Sequence, residues 1–178
     1  GIAIFAEKPQ SLYLDEIFPM AEAIEKNNVA SICGFQMEYD PWYTRVRSYL
    51  KGKSISSMMM INCGAVETHG VKHSIITKDQ GPQDRIWTAD RNWSGTSMVE
   101  AGIHQTDLMR YWSNDEIEWV ISNYVERPER LQKSQGNNPI SYHVSFGLKT
   151  IGNANLTLTK PAGVFFMERY DYILTTNS

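Results

Sequence analysis

The chain is poor in the residues that announce most familiar chemistries. It has two cysteines, Cys33 and Cys63, each in an apolar, strand-like run. With so few thiols and no Cys-x-x-Cys pair, neither a disulfide framework nor a zinc knuckle is expected, and both are read as reduced core thiols. Basic runs are missing too: 17 Lys and Arg stand against 20 Asp and Glu, a net charge of −3. That balance speaks against a nucleic-acid or anionic-membrane surface. No apolar run approaches the about 20 residues of a membrane span, and no basic segment followed by a hydrophobic stretch opens the chain. A cytoplasmic setting is the expectation. The dinucleotide fingerprint G-x-G-x-x-G does not occur, and no serine or cysteine sits in a glycine-flanked elbow.

What is present suits one ordinary domain or a domain with part of another: 178 residues, 42% of them hydrophobic. Five tryptophans and nine tyrosines suit either the core of a sheet protein or surfaces that meet sugars and partners.

Taken in order, IAIFAE reads as a strand buried on both faces, and SLYLDEIFPMAEAIEKNN as a helix with Pro19 in its first turn or at a kink. VASICGF is a second buried strand, so these three make a crossover unit of a parallel sheet. Such a strand needs neighbours on both sides, so the chain is expected to be a piece whose missing strands lie upstream. YDPWYTRVRSYLKG is a helix with Asp40 as N-cap, Pro41 at the first position and Gly52 past the end. SISSMMMINCGAVE is a long strand, and residues 68–95 a polar loop. A helix is expected over about Ser97 to Trp112. EIEWVISNYVER, SYHVSFGLKT, NANLTLT and GVFFMERYDYILTT then read as strands of a mostly antiparallel open sheet with helices on one face. Residues 127–139 look the least ordered.

In the helix SGTSMVEAGIHQTDLMRYW, Glu100, His104 and Asp107 fall within about 60° of one another. A histidine one turn from a carboxylate is a workable general acid or base. Structural readings compete: Ser97 and Glu100 have capping-box spacing, and Asp107 with Arg110 could form a solvated pair. Gly102 inside the helix makes sense if something approaches the backbone closely. Lys8 stands where the strand IAIFAE ends, the place where open parallel sheets bind ligands. His69 and His73 do not complete a metal site with this helix, and no metal is expected.

Three segments in fixed order, GIAIFAEKPQSL, ICGFQMEYDP and WSGTSMVEAGIHQTDLMRYW, resemble the glucose–fructose oxidoreductase, inositol dehydrogenase and rhizopine-catabolism (Gfo/Idh/MocA) oxidoreductases. The resemblance covers residues 1 to about 120 well and the later strands in character. It implies that residues 1–37 are the C-terminal remnant of a Rossmann dinucleotide-binding domain. Residues 38–178 would be an α+β substrate, catalytic and oligomerisation domain, its open sheet forming a homo-oligomer contact. It further implies NAD or NADP as cofactor and a sugar, inositol or polyol as substrate. By the same likeness His104 takes the hydroxyl proton, Lys8 meets substrate and cofactor, and Glu100, aspartate in many relatives, positions them. Asp107, Trp93 and Tyr39 would contact substrate, and Glu7 and Pro9 flank Lys8 at the cofactor. Where many members of that family carry basic residues after Gly-Phe, this chain has Met37 and Glu38. That departure keeps a rival open: a non-catalytic sensor or assembly module that retains the fold. A carbohydrate-binding domain built on the tryptophans is the weakest reading, since nothing gathers them on one face.

Overall fold

The computed structural model describes residues 2–63, 73–77, 81–85, 90–150, 152–159 and 168–176. It begins with a crossover unit: β1 (Ile4–Ala6), α1 (Leu14–Lys26) and β2 (Ser31–Cys33). The strands pair in parallel, Ile4 with Ser31 through Ala6 with Cys33. The parallel pairing matches expectation, but the burial does not. Phe5 is 70% exposed, Ile4 and Ile32 are exposed, and α1 has no buried residue. Among the described residues each strand has only the other as a partner, so the outward faces of these apolar runs meet nothing. Pro19 sits in the second turn of α1, beyond the first turn where its missing N–H is harmless.

A 3₁₀ turn (Gln36–Tyr39) leads from β2 into α2 (Pro41–Leu50), whose N-cap Asp40 accepts a 2.8 Å bond from the Trp42 amide. Gly52 follows in the left-handed region at φ 79°, which closes the helix end. The long strand β3 (Ser54–Cys63) is the second-to-edge strand of a five-stranded mixed sheet. With β6 (Ile117–Val125), β7 (Ser141–Leu148), β8 (Asn153–Thr159) and β9 (Glu168–Thr176), the order is β6-β7-β8-β3-β9. The β3–β8 pair is parallel and the other three are antiparallel. A bulge between Ile55 and Ser57 resets the alternation of β3. Ile55, Met58 and Met60 therefore share the inward face, whereas Met59 points out and is 42% exposed.

That inward face packs on α2 and on α5 (Gly102–Ser113). Leu108, Met109 and Trp112 from α5, Leu50 from α2, and Tyr142, Val144, Phe146 and Leu148 from β7 complete the core. Trp112 also donates from its indole nitrogen to the Tyr43 carbonyl at 3.0 Å, which fastens α5 to α2. The opposite face is open. Ile121, Tyr170, Tyr172 and Leu174 are each about half exposed or more. On the same face the Trp119 indole lies over Gly147, where a Cβ would stand 1.9 Å from its nitrogen.

Three expectations are corrected here. Within the segment read as a polar loop, β4 (His73–Thr77) and β5 (Gly81–Arg85) form an antiparallel hairpin, and α3 (Arg91–Ser94) follows. The segment read as least ordered carries α6 (Glu129–Gln135). Arg91 anchors its far side, bonding the Asn137 carbonyl and pairing with Glu126 at 2.6 Å. Third, the site helix is two helices: α4 (Ser97–Glu100) ends at Ala101, and α5 starts at Gly102. The cysteines are free thiols. His69 lies outside the described residues. No described helix is long and apolar enough to cross a membrane.

Candidate active site

The chain leaves β1 through Glu7, Lys8 and Pro9 and runs beside α4. The Lys8 ammonium donates to the Glu100 carboxylate at 2.8 Å and to the Glu100 main-chain carbonyl at 2.8 Å. Both side chains are about 15% exposed or less, so this ion pair is shielded from solvent. The capping-box reading of Glu100 is thereby displaced. The N-cap of α4 is Thr96, whose hydroxyl accepts from the Val99 amide, and the Glu100 carboxylate turns to Lys8 instead. Thr96 reaches that position at φ 109°, where a β-branched residue is strained. Gly95 before it, at φ 72°, faces Leu12: a Cβ there would come within 2.8 Å of the leucine methyl. A side chain at Gly95 would be strained by the left-handed backbone, and the Leu12 methyl would have to move aside.

The close approach anticipated at Gly102 is made by Met98, whose sulfur lies 2.5 Å from where a Cβ would be. It is packing between successive turns, not a ligand. Beyond the break, His104 faces the Lys8–Glu100 pair, and the ring of Phe35 meets it edge-on at 6.2 Å. Its Nδ1 is buried with no hydrogen-bond partner among the described residues. Burial, then the nearby Lys8 ammonium, lower its pKa, with Glu100 and Glu7 opposing. The imidazole is therefore neutral at neutral pH and able to accept a proton.

Asp107, one turn further along α5, is 7% exposed. The solvated pair that helix spacing allows with Arg110 does not form, because Arg110 binds Glu116 at 2.7 Å instead. Asp107 meets Glu38 of the 3₁₀ turn, and its carboxyl is raised to about 6, by burial first and by Glu38 second. This contact was not foreseen, although its signal is in the spacing. Phe35 and Glu38 are three apart, as are His104 and Asp107. Two turns laid side by side bring Phe35 to His104 and Glu38 to Asp107.

Beside Lys8 and Phe35, a cleft of about 300 Å³ opens at the carboxyl ends of β1 and β2, lined by Phe5, Glu7, Lys8, Cys33, Phe35 and Tyr39. Tyr39 thus shares a wall with Lys8. Glu7 and Pro9 also line an apolar cleft against α1, with Ile4, Met20 and Ile24. Trp93 stands in α3, ahead of the Gly95 turn, and is 37% exposed. Among the described residues no group of three or more His, Cys, Asp and Glu is arranged to hold a metal ion.

No protein-family model matches the chain. It is 25% identical over 167 residues to scyllo-inositol 2-dehydrogenase (NAD(+)) of Bacillus subtilis, an alignment covering 92% of this chain and 44% of that protein. Among solved structures, myo-inositol 2-dehydrogenase from Lactobacillus plantarum superposes with a TM-score of 0.74 at 17% identity, over 100% of this chain and 49% of that one. An oxidoreductase structure from Thermotoga maritima gives a TM-score of 0.76 at 17% identity, over 98% and 50%. The chain spans less than half the length of the curated relatives it matches. The likeness read from its motifs therefore holds: over nearly its whole length the chain has the dehydrogenase fold of the Gfo/Idh/MocA oxidoreductases, and resembles inositol dehydrogenases in sequence.

Proposed function

We propose that this chain carries the substrate site of an NAD(P)-dependent oxidoreductase acting on an inositol, a sugar or a related polyol. The observation that carries the reading is the convergence of Lys8, Glu100 and His104 at the carboxyl end of a parallel strand pair. Residues 1–37 are then the end of a dinucleotide-binding domain and residues 38–178 the substrate domain. The cleft at the ends of β1 and β2 suits one edge of a flat ring: Phe5 and Phe35 give it apolar walls, and Glu7 and Lys8 give it polar contacts. When bound, NAD or NADP would supply the hydride acceptor. The chain's own residues do the rest. His104, neutral and partly buried, takes the proton of the carbinol hydroxyl. Lys8 donates to that hydroxyl's oxygen and is held on line by Glu100. Asp107, Tyr39 and Trp93 bound the remainder of the polyol. The open sheet face, with its exposed Tyr170, Tyr172 and Leu174, is the surface through which copies associate.

The test is NAD- and NADP-linked oxidation of inositols and sugars by the protein that carries this chain, followed by nicotinamide absorbance. His104→Ala is expected to lower turnover by about 10²–10⁴-fold. Full turnover in that variant overturns His104 as the base, and no oxidation of any polyol overturns the reading. A second reading, a binding module without chemistry, is favoured by one observation: the acidic Glu38 set against Asp107. On that reading Lys8→Met and His104→Ala leave ligand affinity intact and there is no turnover to lose.

A further inference from the structure

The 3₁₀ turn Gln36–Tyr39 has a different neighbour on each side. Gln36 and Tyr39, with Phe35 before them, line the cleft that holds Lys8, and the Phe35 ring meets His104 edge-on. Glu38 is turned into a separate cleft against α5, where it meets Asp107. The Glu38 amide donates to the Phe35 carbonyl at 3.3 Å and the Asp40 amide to the Met37 carbonyl at 3.2 Å, so the turn moves as one piece. Whatever holds Glu38 therefore also holds Phe35 and Tyr39.

What holds Glu38 is another carboxyl. Asp107 is nine-tenths buried, and its Oδ2 receives no hydrogen bond from any described donor. Two ionised carboxylates can only accept, so this contact closes when one proton lies between them. The surrounding charges do not replace that proton. Arg110, on the same helix as Asp107, holds Glu116 through two nitrogens, and its attraction for Asp107 is outweighed by burial and by Glu38. Arg47 of α2 lines the same cleft but bonds the Asn114 side chain and stacks 4.2 Å from the Tyr111 ring. Arg169 of β9, which reaches Met37 of the turn, pairs with Asp171. Cys33 at the end of β2, with Asp115 and Glu116 beyond α5, adds no positive charge.

We infer that Glu38 is a positioning residue: a proton shared with Asp107 latches the 3₁₀ turn onto α5 and, through Phe35 and Tyr39, sets the wall of the Lys8 cleft against His104. When that proton passes to solvent, the pair becomes two like charges in a poorly hydrated gap, and the turn loosens from α5. The raised Asp107 carboxyl places the release near pH 6: the turn is held below about 6 and freed above it. An amide in place of either carboxyl donates without a proton, so it keeps the latch shut at every pH. The latch belongs to this chain alone, whereas its effect on catalysis rests on the polyol reading above.

The experiment follows amide hydrogen exchange in the protein that carries this chain, with each rate divided by its unfolded-chain value so that the intrinsic pH dependence drops out. Protection of the Glu38 and Asp40 amides is expected to fall about tenfold between about pH 5 and about pH 7.5. Glu38→Gln should hold it high and flat, and Asp107→Asn, donating from the other side, should do the same even if the first variant folds poorly. Glu38→Ala should hold it low and flat. Protection that ignores pH in the parent, or that still falls in both amide variants, overturns the latch. In parallel, the KM for NAD-linked oxidation of scyllo-inositol should rise by a similar factor over that range in the parent and stay level in Glu38→Gln, while titration of His104 moves kcat in both. A KM that rises equally in Glu38→Gln overturns the link from latch to cleft. If no polyol is turned over, the polyol reading falls, and the exchange profile still decides the latch.

Discussion

The two halves of this molecule were built from similarly apolar sequence and ended in opposite states. The five-stranded sheet turns one face onto α2 and α5 and buries eleven hydrophobic side chains in one cluster. The β1–α1–β2 unit, equally rich in Ile, Phe and Met, buries none of its helix and leaves both strands largely exposed. Composition sets how much apolar surface a segment brings, and topology decides whether anything covers it. The unit is instead held at its ends: Lys8 on Glu100, Leu12 against Gly95 and Phe35 against His104. Every one of those contacts lies at the candidate site. The site is the seam between the halves.

The contrast can be broken in order of effect. Leu108→Ala, in the fully buried centre of the sheet half, should cost about 3 kcal/mol in urea unfolding. A loss below ~1 kcal/mol would mean the core is looser than its burial implies. Lys8→Met leaves the shielded Glu100 carboxylate without its cation and should cost roughly 2 kcal/mol, with amide exchange rising at both ends of the seam. Unchanged exchange around residues 95–104 would show that Lys8 does not join the halves.

Asp107→Asn should act in the other direction, and its sign depends on pH. The folded carboxyl lies at about 6, above the ordinary value of 3.8, so the folded protein holds its proton more tightly than the unfolded chain. That contribution is complete below the unfolded value and is lost as pH rises through about 6. Asparagine removes the dependence, so the variant should melt roughly 3–6 °C above the parent near pH 7.5 and level with it near pH 4. A melting difference independent of pH would refute the raised carboxyl. The smallest effect is expected at Phe5→Ser: with the ring 70% exposed, stability should move by no more than ~0.5 kcal/mol. A large loss there would mean that β1 is covered by something in solution.

Much of this was legible in the sequence, for identifiable reasons. Asp40, Pro41 and Gly52 bracket α2 because capping and left-handed closure are local chemistry, written within a few residues. The strands of the open sheet were legible as well, since β-branched and aromatic runs fix strand character before any partner is chosen. Burial was not: IAIFAE and VASICGF have the pattern of doubly covered strands, and nothing local reveals that among the described residues no third strand joins them. The site divides along the same line. The motif pointed to Lys8, Glu100 and His104, but whether Glu100 capped a helix or held a lysine depended on Lys8, ninety-two positions away. Helix spacing allowed Asp107 to pair with Arg110; a more distant glutamate on Arg110 and another on Asp107 overruled that local pairing. Spacing within one element constrains which residues share a face, and only the fold decides which facing residue they meet.

Trp119 gives the open sheet a voice of its own. Its indole lies against Gly147 and is 42% exposed to solvent overall. Trp112, by contrast, is sealed in the core. Any surface that settles on the outer face of the sheet must first dehydrate the Trp119 ring, so its emission should shift to the blue and lose access to a soluble quencher while that of Trp112 stays constant. The fluorescence difference between the protein and its Trp119→Phe variant, followed over a dilution series, would then read occupancy of that face directly, with no label attached.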